Sequence, residues 1–361
     1  MESMVNLFGS NYYGKNVLLT GHTGFKGSWL SIILEQMGAV IKGYSLTPAY
    51  NPNLFSQANI ESFVDSEIGD IRNRKKLESS IYEFSPDILI HMAAQPLVRY
   101  SYENPYETYS TNVIGTLNVL ESARLCKNLR SIIIITTDKC YENKELNYSY
   151  KETDSLGGYD PYSSSKACCE LLVSSYRQSF FSSNLSAGIA SVRAGNVIGG
   201  GDWSIDRLIP DVIKSFDNQK SLEIRNPKAI RPWQHVFEPL FGYIKLAEKL
   251  FYDKSYNGAW NFGPRAEDCK SVDWVVEKLM MLFENKSKWN YDRNNQPHES
   301  GILKLDFSKA KELLKWEPVW NLDKGLKMVV DWHKSFNRRE NMKEKCLTQI
   351  NQYINDLNYI K

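Results

Sequence analysis

Tyr162 and Lys166 stand four residues apart at the start of a predicted helix, and Thr137-Asp138-Lys139 closes an apolar run upstream. Residues i and i+4 share a helix face, so the Lys166 ammonium lies beside the Tyr162 phenol and is expected to lower its pKa. A phenol held that way takes a proton from a sugar or alcohol hydroxyl near neutral pH. Thr137-Asp138-Lys139 adds a second acid/base set. Two proton-handling sets point beyond simple alcohol oxidation. Alone, Asp138 and Lys139 would read as a solvated loop pair; their place at the same sheet edge as Tyr162 and Lys166 favours catalysis.

Gly21-His22-Thr23-Gly24-Phe25-Lys26-Gly27 follows the first predicted strand and opens the first helix. Glycines at this spacing let backbone N–H groups approach a pyrophosphate seated on the helix N-terminus, so a nicotinamide dinucleotide is the expected cofactor. An acidic residue for the adenosine ribose is expected at the end of the second strand, but Gly43-Tyr44-Ser45-Leu46 stands there. No arginine stands there for a 2′-phosphate either, which favours NAD over NADP. Asp70 could reach an adenine amino group or be a plain turn aspartate. In His91-Met92-Ala93-Ala94-Gln95 the small residues would let a dinucleotide cross a strand tip, or serve only tight packing. Asn112 reads as a buried polar staple rather than a ligand. Arg193, Arg207, Arg231 and His235 lie in or near the second half, where guanidiniums suit a diphosphate. Arg231 is the strongest of these candidates and Arg193 the weakest.

The elements that must position these groups alternate. Strands are predicted at Val17–Thr20, Val40–Tyr44, Ile88–His91, Ser131–Thr136 and Ala187–Val192. Helices are predicted around Trp29–Met37 and at Arg74–Glu83, Glu107–Cys126 and Tyr162–Phe180. Four consecutive isoleucines mark Ser131–Thr136 as the most buried strand. This order argues for an α/β fold with a doubly wound (Rossmann) parallel sheet. After about residue 195 the alternation breaks. Helices are predicted at Leu208–Phe216, Val236–Phe251, Val272–Phe283 and Leu322–His333, and strands near Leu222–Ile224, Ala259–Phe262 and Ile302–Leu305. The reading is a cofactor domain over 1–195, with a return segment at about 236–262, and a smaller α/β substrate lobe in 196–361. The charged tail from Asn337 reads as a surface helix.

The chain of 361 residues is 42% hydrophobic and 24% charged with a net charge of +2, as an ordinary globular protein would be, so no nucleic-acid partner is expected. No stretch reaches the roughly 20 apolar residues of a membrane span, and Met1 to Lys15 has no apolar leader, so a cytoplasmic protein is expected. Six cysteines (126, 140, 168, 169, 269 and 346) lack CxxC spacing and read as reduced thiols. His22, His91, His235, His298 and His333 are scattered, so no metal is expected.

The chain resembles extended short-chain dehydrogenase/reductases acting on nucleotide sugars, and within them the CDP-glucose branch of the 4,6-dehydratases. The resemblance rests on Thr20 to Leu30, His91 to Arg99, Asp138 to Tyr141, Gly158 to Tyr162, Arg193 to Trp203 and Ile230 to Val236. Most such dehydratases carry Asp-Glu where this chain has Asp138-Lys139, and Lys is typical of the CDP-glucose branch. The resemblance implies NAD, a CDP-glucose substrate and an internal redox cycle. Tyr162 would take the 4-hydroxyl proton as hydride leaves C4, and Thr137 with Tyr162 would bind the 4-keto group. Lys139 would remove the C5 proton, Asp138 would protonate the departing C6 hydroxyl, and hydride would return to C6. It assigns Gly21, Thr23, Gly24, Phe25, Lys26, Gly27, Asp70, Ile71, Ala93, Ala94, Gln95, Thr136, Tyr162 and Lys166 to the cofactor. Val98, Asn196, Arg207, Leu208, Arg231 and His235 fall to the substrate. Relatives pair through the helices at Glu107–Cys126 and Tyr162–Phe180, so a homodimer or homotetramer is expected. An epimerase or decarboxylase of the same fold would not need the second acid/base set. A cofactor-sensing regulator commonly loses the Tyr or the Lys.

Overall fold

The computed structural model describes residues 11–182, 187–218, 220–285, 289–292 and 300–360; His298 and most of the polar N-terminal stretch lie outside them. The chain opens with β1 (Asn16–Thr20), α1 (Phe25–Gln36), β2 (Val40–Ser45) and the short α2 (Leu54–Gln57), then β3 (Asp65–Ile68), α3 (Arg74–Phe84) and β4 (Ile88–His91). Next come α4 (Val98–Glu103), α5 (Pro105–Tyr109), α6 (Gly115–Leu125), β5 (Ser131–Ile135), α7 (Pro161–Ser179), β6 (Gly188–Ala194) and β7 (Asn196–Ile198). The second half adds α8 (Leu208–Asp217), β8 (Leu222–Ile224), β9 (Ile230–His235), α9 (Phe237–Tyr252), β10 (Gly258–Phe262), β11 (Cys269–Ser271), α10 (Val272–Leu282) and β12 (Trp289–Tyr291). Helices α11 (Ser308–Leu314), α12 (Leu322–Asn337) and α13 (Met342–Ile360) close it.

Seven strands form one parallel sheet in the order β10-β6-β5-β4-β1-β2-β3, the doubly wound arrangement expected from the sequence. Strand β5, covered on both sides of the sheet, explains the isoleucine run. Ile133 and Ile135 bury on one face with α1 and α9 residues, Ile132 and Ile134 on the other with Val119 and Val173. A strand covered on both faces has no polar side to show, so alternation vanishes. The region predicted as one helix from Glu107 to Cys126 is a continuous run from α5 to α6 that passes through a π-helical turn at Ser110–Ile114. Two small sheets cover the carboxyl edge, β11-β9-β7 and β12-β8. Ile302–Leu305 is not a strand; Ile302 and Leu305 make single bridges to Ile230 and Tyr150. All six cysteines are free, and no helix among the described residues is long and apolar enough to cross a membrane.

The tail departs most from expectation. Helix α13 buries Met342, Cys346, Ile350, Tyr353 and Ile354 in the main core, a stripe at helical spacing hidden among the charges of the tail. The Tyr353 hydroxyl donates to Glu238 Oε2 at 2.8 Å, and that carboxylate also accepts the Val319 and Trp320 N–H groups. The tail thereby clamps α9 to the turn before α12.

Beneath the tips of β5 and β6 lies a buried ion pair. Glu170 of α7 accepts Arg193 Nε and Nη2 at 2.9 and 2.8 Å, with hydroxyls of Thr136 and Ser191 completing its shell. Arg193 also donates to the Tyr141 hydroxyl at 2.7 Å. Arg193 is thus a structural group, in line with its being the weakest ligand candidate.

Arg193→Leu strands the Glu170 carboxylate and should lower the unfolding free energy by roughly 3–5 kcal/mol in urea denaturation; a loss below about 1 kcal/mol would contradict this reading. Tyr353→Phe removes one donor from Glu238 and should cost about 1 kcal/mol in the same measurement, whereas a freely solvated tail would give no change.

Candidate active site

Backbone crowding shapes the glycine loop. Gly21 has φ +79°, and a Cβ there would lie 2.7 Å from the Ala93 nitrogen; at Gly27 it would lie 2.1 Å from the Gly21 oxygen. His22 turns inward, hydrogen-bonds Ser66 at 2.7 Å and sits where a side chain at residue 43 would be, which explains Gly43 in β2. The Thr23 hydroxyl is spent on Ser45 and the Leu46 carbonyl, tying the loop to the tip of β2. Helix α1 starts at Gly24 with no side-chain cap and no acidic residue in its first turn. Its free N–H groups and positive dipole end therefore face outward, a cradle that fits a dinucleotide pyrophosphate.

A cavity of about 500 Å³ opens at the carboxyl edge of the sheet. Its lining brings together Lys26, Ala94, Thr136, Thr137, Asp138, Lys139, Tyr162 and Lys166 from the sheet side. Val98 lines it from the start of α4, and Asn196, Arg207, Leu208 and Arg231 line it from the second half. Helix α7 is started by Asp160, whose carboxylate accepts the Ser163 N–H at 2.8 Å, and by Pro161 at its first position. This start fixes Tyr162 and Lys166 in the first two turns. Thr137 caps the single 3₁₀ turn Asp138–Cys140, accepting the Lys139 N–H.

The Thr137 hydroxyl donates to Asp138 Oδ1 at 3.0 Å and lies beside the Tyr162 phenol. Asp138 is 3% exposed, and its Oδ2 is buried with no partner. Burial raises the Asp138 pKa above the usual carboxylate range, against the pull of Lys139, Thr137 and Arg231. Tyr162 is likewise pushed above its ordinary value by burial, with the Thr137 hydroxyl and Arg207 opposing. The expected lowering of the Tyr162 pKa by Lys166 is therefore not the dominant effect. The Lys166 ammonium instead donates to the Ile135 carbonyl at 3.0 Å, and burial lowers its own pKa. Lys26 is lowered to about 7 by burial and by the charges of Arg207 and Lys166, with Asp138 pulling the other way.

Other assigned residues stand apart from the cavity. His235 is 1% exposed and packs on Phe237 and Trp320, and burial lowers its pKa to about 3. It is a neutral core residue rather than a substrate ligand. The Asp70 carboxylate is taken by the Arg72 guanidinium, which holds its pKa down, and Ile71 packs in the core. The Gln95 side chain is bound to Thr108 and Leu97, and Asn112 staples Gln95 to Ser165 as expected. Sequence reasoning missed Arg99, Asp202, Asp206, Asp211 and Arg225, which also line the cavity. For the last four the only signal was a density of Asp and Arg between residues 202 and 231.

The model of the GDP-mannose 4,6 dehydratase family matches residues 18–329. A CDP-glucose 4,6-dehydratase of Salmonella typhimurium is 51% identical over 348 residues, covering 95% of this chain and 97% of that protein. A UDP-glucuronate 4-epimerase of Thermodesulfobacterium geofontis is 28% identical, covering 88% and 95%. Among solved structures, the UDP-glucose 4-epimerase of Thermotoga maritima with UDP-glucose superposes with a TM-score of 0.79 at 21% identity, covering 89% and 99%. That of Thermus thermophilus with NAD gives 0.75 at 22% identity, covering 88% and 98%. With the glycine cradle, the Tyr162/Lys166 pair and Asp138 gathered at one sheet edge, the chain belongs to the GDP-mannose 4,6 dehydratase family.

Proposed function

We propose that this protein is a CDP-glucose 4,6-dehydratase, converting CDP-glucose to CDP-4-keto-6-deoxyglucose and water. The observation that carries this reading is Asp138: a buried carboxyl at the cavity wall, raised above its usual pKa, with one oxygen that has no hydrogen-bond partner among the described residues. Such a group holds a proton to give to a leaving hydroxyl. A 4-epimerase, which only moves hydride at C4, needs no such acid.

Bound on the glycine loop, NAD supplies hydride acceptance at sugar C4 and hydride return at C6. The cradle at Gly21, Gly24 and Gly27 would hold its pyrophosphate, with Ala94, Thr136 and Lys166 toward the nicotinamide end. Tyr162 accepts the 4-hydroxyl proton. Its burial makes that step depend on positive charge in the cavity, to which Arg207 contributes. Thr137, beside Tyr162 and Asp138, turns its hydroxyl proton from Asp138 to the 4-keto group. Lys139, lining the cavity beside Asp138, removes the C5 proton, and Asp138 protonates the C6 hydroxyl as it leaves as water. Arg207 and Arg231 bind the diphosphate, with Val98, Asn196 and Leu208 against the sugar nucleotide. In this reading the cofactor half divides from the nucleotide-sugar half near residue 195.

Helices α5 to α7 and the π-helical turn expose Tyr106, Tyr109, Ile114 and Leu171, a face suited to a homodimer or homotetramer. The six free thiols fit a reducing cytoplasm.

The direct test offers CDP-, dTDP-, UDP- and GDP-glucose and identifies the product. CDP-glucose should give the 4-keto-6-deoxy sugar most efficiently, and its absence would refute the reading. Tyr162→Phe should lose at least 100-fold in turnover while retaining cofactor affinity; unaltered turnover would remove Tyr162 from its role. Asp138→Asn should still oxidise C4, seen as reduced-cofactor absorbance, but release water at least 100-fold more slowly. Rapid water loss in that variant would show that Asp138 is not the acid.

A further inference from the structure

The cavity runs from the tip of β5 to a cover that includes α8 and β8, and six of its lining residues carry carboxyl groups: Asp138, Asp202, Asp206, Asp211, Glu223 and Asp292. Asp138 belongs to the catalytic end. Asp202 accepts from Arg207 and from the Ser204 N–H, Asp206 pairs with Arg99 and Arg225, and Glu223 accepts from Asn290. Asp292 is engaged as well. The Asp211 side chain has no hydrogen bond or ion pair among the described residues. It is nevertheless half-buried, one helical turn from Leu208 where α8 lines the cavity, while Val212 and Ile213 of the same helix fill the core. Burial and the nearby Asp206 and Asp202 push its pKa up to about 6, against Arg225 and Lys214. An ionised carboxylate only accepts hydrogen bonds. An acceptor kept half out of water without a donor is matched by a donor on the ligand.

The surroundings say which part of a nucleotide sugar lies there. Arg207 and Arg231 offer guanidiniums for the diphosphate close to the catalytic end, where their charges act on Tyr162 and Asp138. Leu208, Leu222 and Ile224 also line the cavity and provide apolar walls of the kind a flat heterocycle packs between.

We propose that Asp211 reads the nucleobase, accepting a hydrogen bond from the exocyclic amine of cytosine and repelling the carbonyl oxygen that uracil and thymine present at that position. This rests on the CDP-glucose reading above and names the residue that would set its base preference. The two pyrimidine classes differ at that edge at C4 and at N3, so an acceptor-only group facing the C4 substituent discriminates by attraction to the amine of the first and by an unpaired, opposed oxygen in the second.

The test measures kcat and KM with CDP-glucose and UDP-glucose, and calorimetric affinity for CDP and UDP, in the wild type, Asp211→Leu and Asp211→Asn. Asp211→Leu should raise KM for CDP-glucose tenfold or more, with the loss falling on KM rather than kcat, as for a group bound equally in ground and transition states. Asp211→Asn, whose amide can donate to a carbonyl oxygen, should narrow the CDP/UDP ratio in kcat/KM and in affinity by tenfold or more. Unchanged ratios in both variants, or a loss confined to kcat, would overturn the role of Asp211. A wild type that makes no 4-keto-6-deoxy product would instead overturn the dehydratase reading. The CDP/UDP affinity comparison would then still decide whether Asp211 selects the base.

Discussion

The Glu170–Arg193 pair is the constraint on which the site depends. Glu170 lies four residues after Lys166 on α7, so whatever fixes Glu170 fixes the helix face that carries Tyr162 and Lys166. Through Thr136 it grips the residue after β5, and through Ser191 and Arg193 it grips β6. Arg193 then reaches Tyr141, whose hydroxyl donates to Asn261 of β10 at 2.7 Å. A single buried charge pair therefore sets α7, the 3₁₀ turn bearing Asp138 and Lys139, and three strand tips in one arrangement. A pair this deep contributes little net stability over apolar residues of the same shape. Its consequence here is geometric: two acid/base sets from different elements share one wall of the cavity.

The second constraint is crowding of backbone against backbone. Gly21 against Ala93 and Gly27 against Gly21 bring β1, α1 and the tip of β4 closer than any side chain allows. That approach exposes an uncapped helix start beside the cavity, so the place for an anion and the place for proton transfer adjoin. Burial then supplies the electrostatics. The same desolvation that raises the Asp138 pKa also raises Tyr162 and lowers Lys26 and Lys166.

Much of this was legible in the chain. The strands flanking the site show as apolar runs because both of their faces are covered, and the glycine loop, the Tyr162/Lys166 spacing and Asp138-Lys139 sit at strand and helix boundaries that those runs define. The parts that were not legible share a cause: they depend on contacts between segments far apart in sequence. Strands β7, β9 and β11 are three to six residues long and exist through pairing with one another. Helix α13 looks polar by composition, and only its partners on α1 and α9 reveal the apolar stripe. The Tyr162/Lys166 electrostatics failed because two neighbours were weighed without the cost of taking both out of water. His235 lies four residues beyond Arg231 on β9, roughly 13 Å along a strand, enough to carry it from the cavity into the core. Asp211 could not be singled out until the donors satisfying the other carboxylates were seen.

The central claim is that two acid/base sets on one wall remove water from the sugar while its C4 hydrogen is kept within the site. CDP-glucose deuterated at C4 tests this most directly, with the product analysed for the position of the label. The expected product is a 4-keto-6-deoxy sugar carrying deuterium at C6, transferred within the same molecule. A 4-keto product with the C6 hydroxyl retained, or a 6-deoxy product without deuterium at C6, would contradict it.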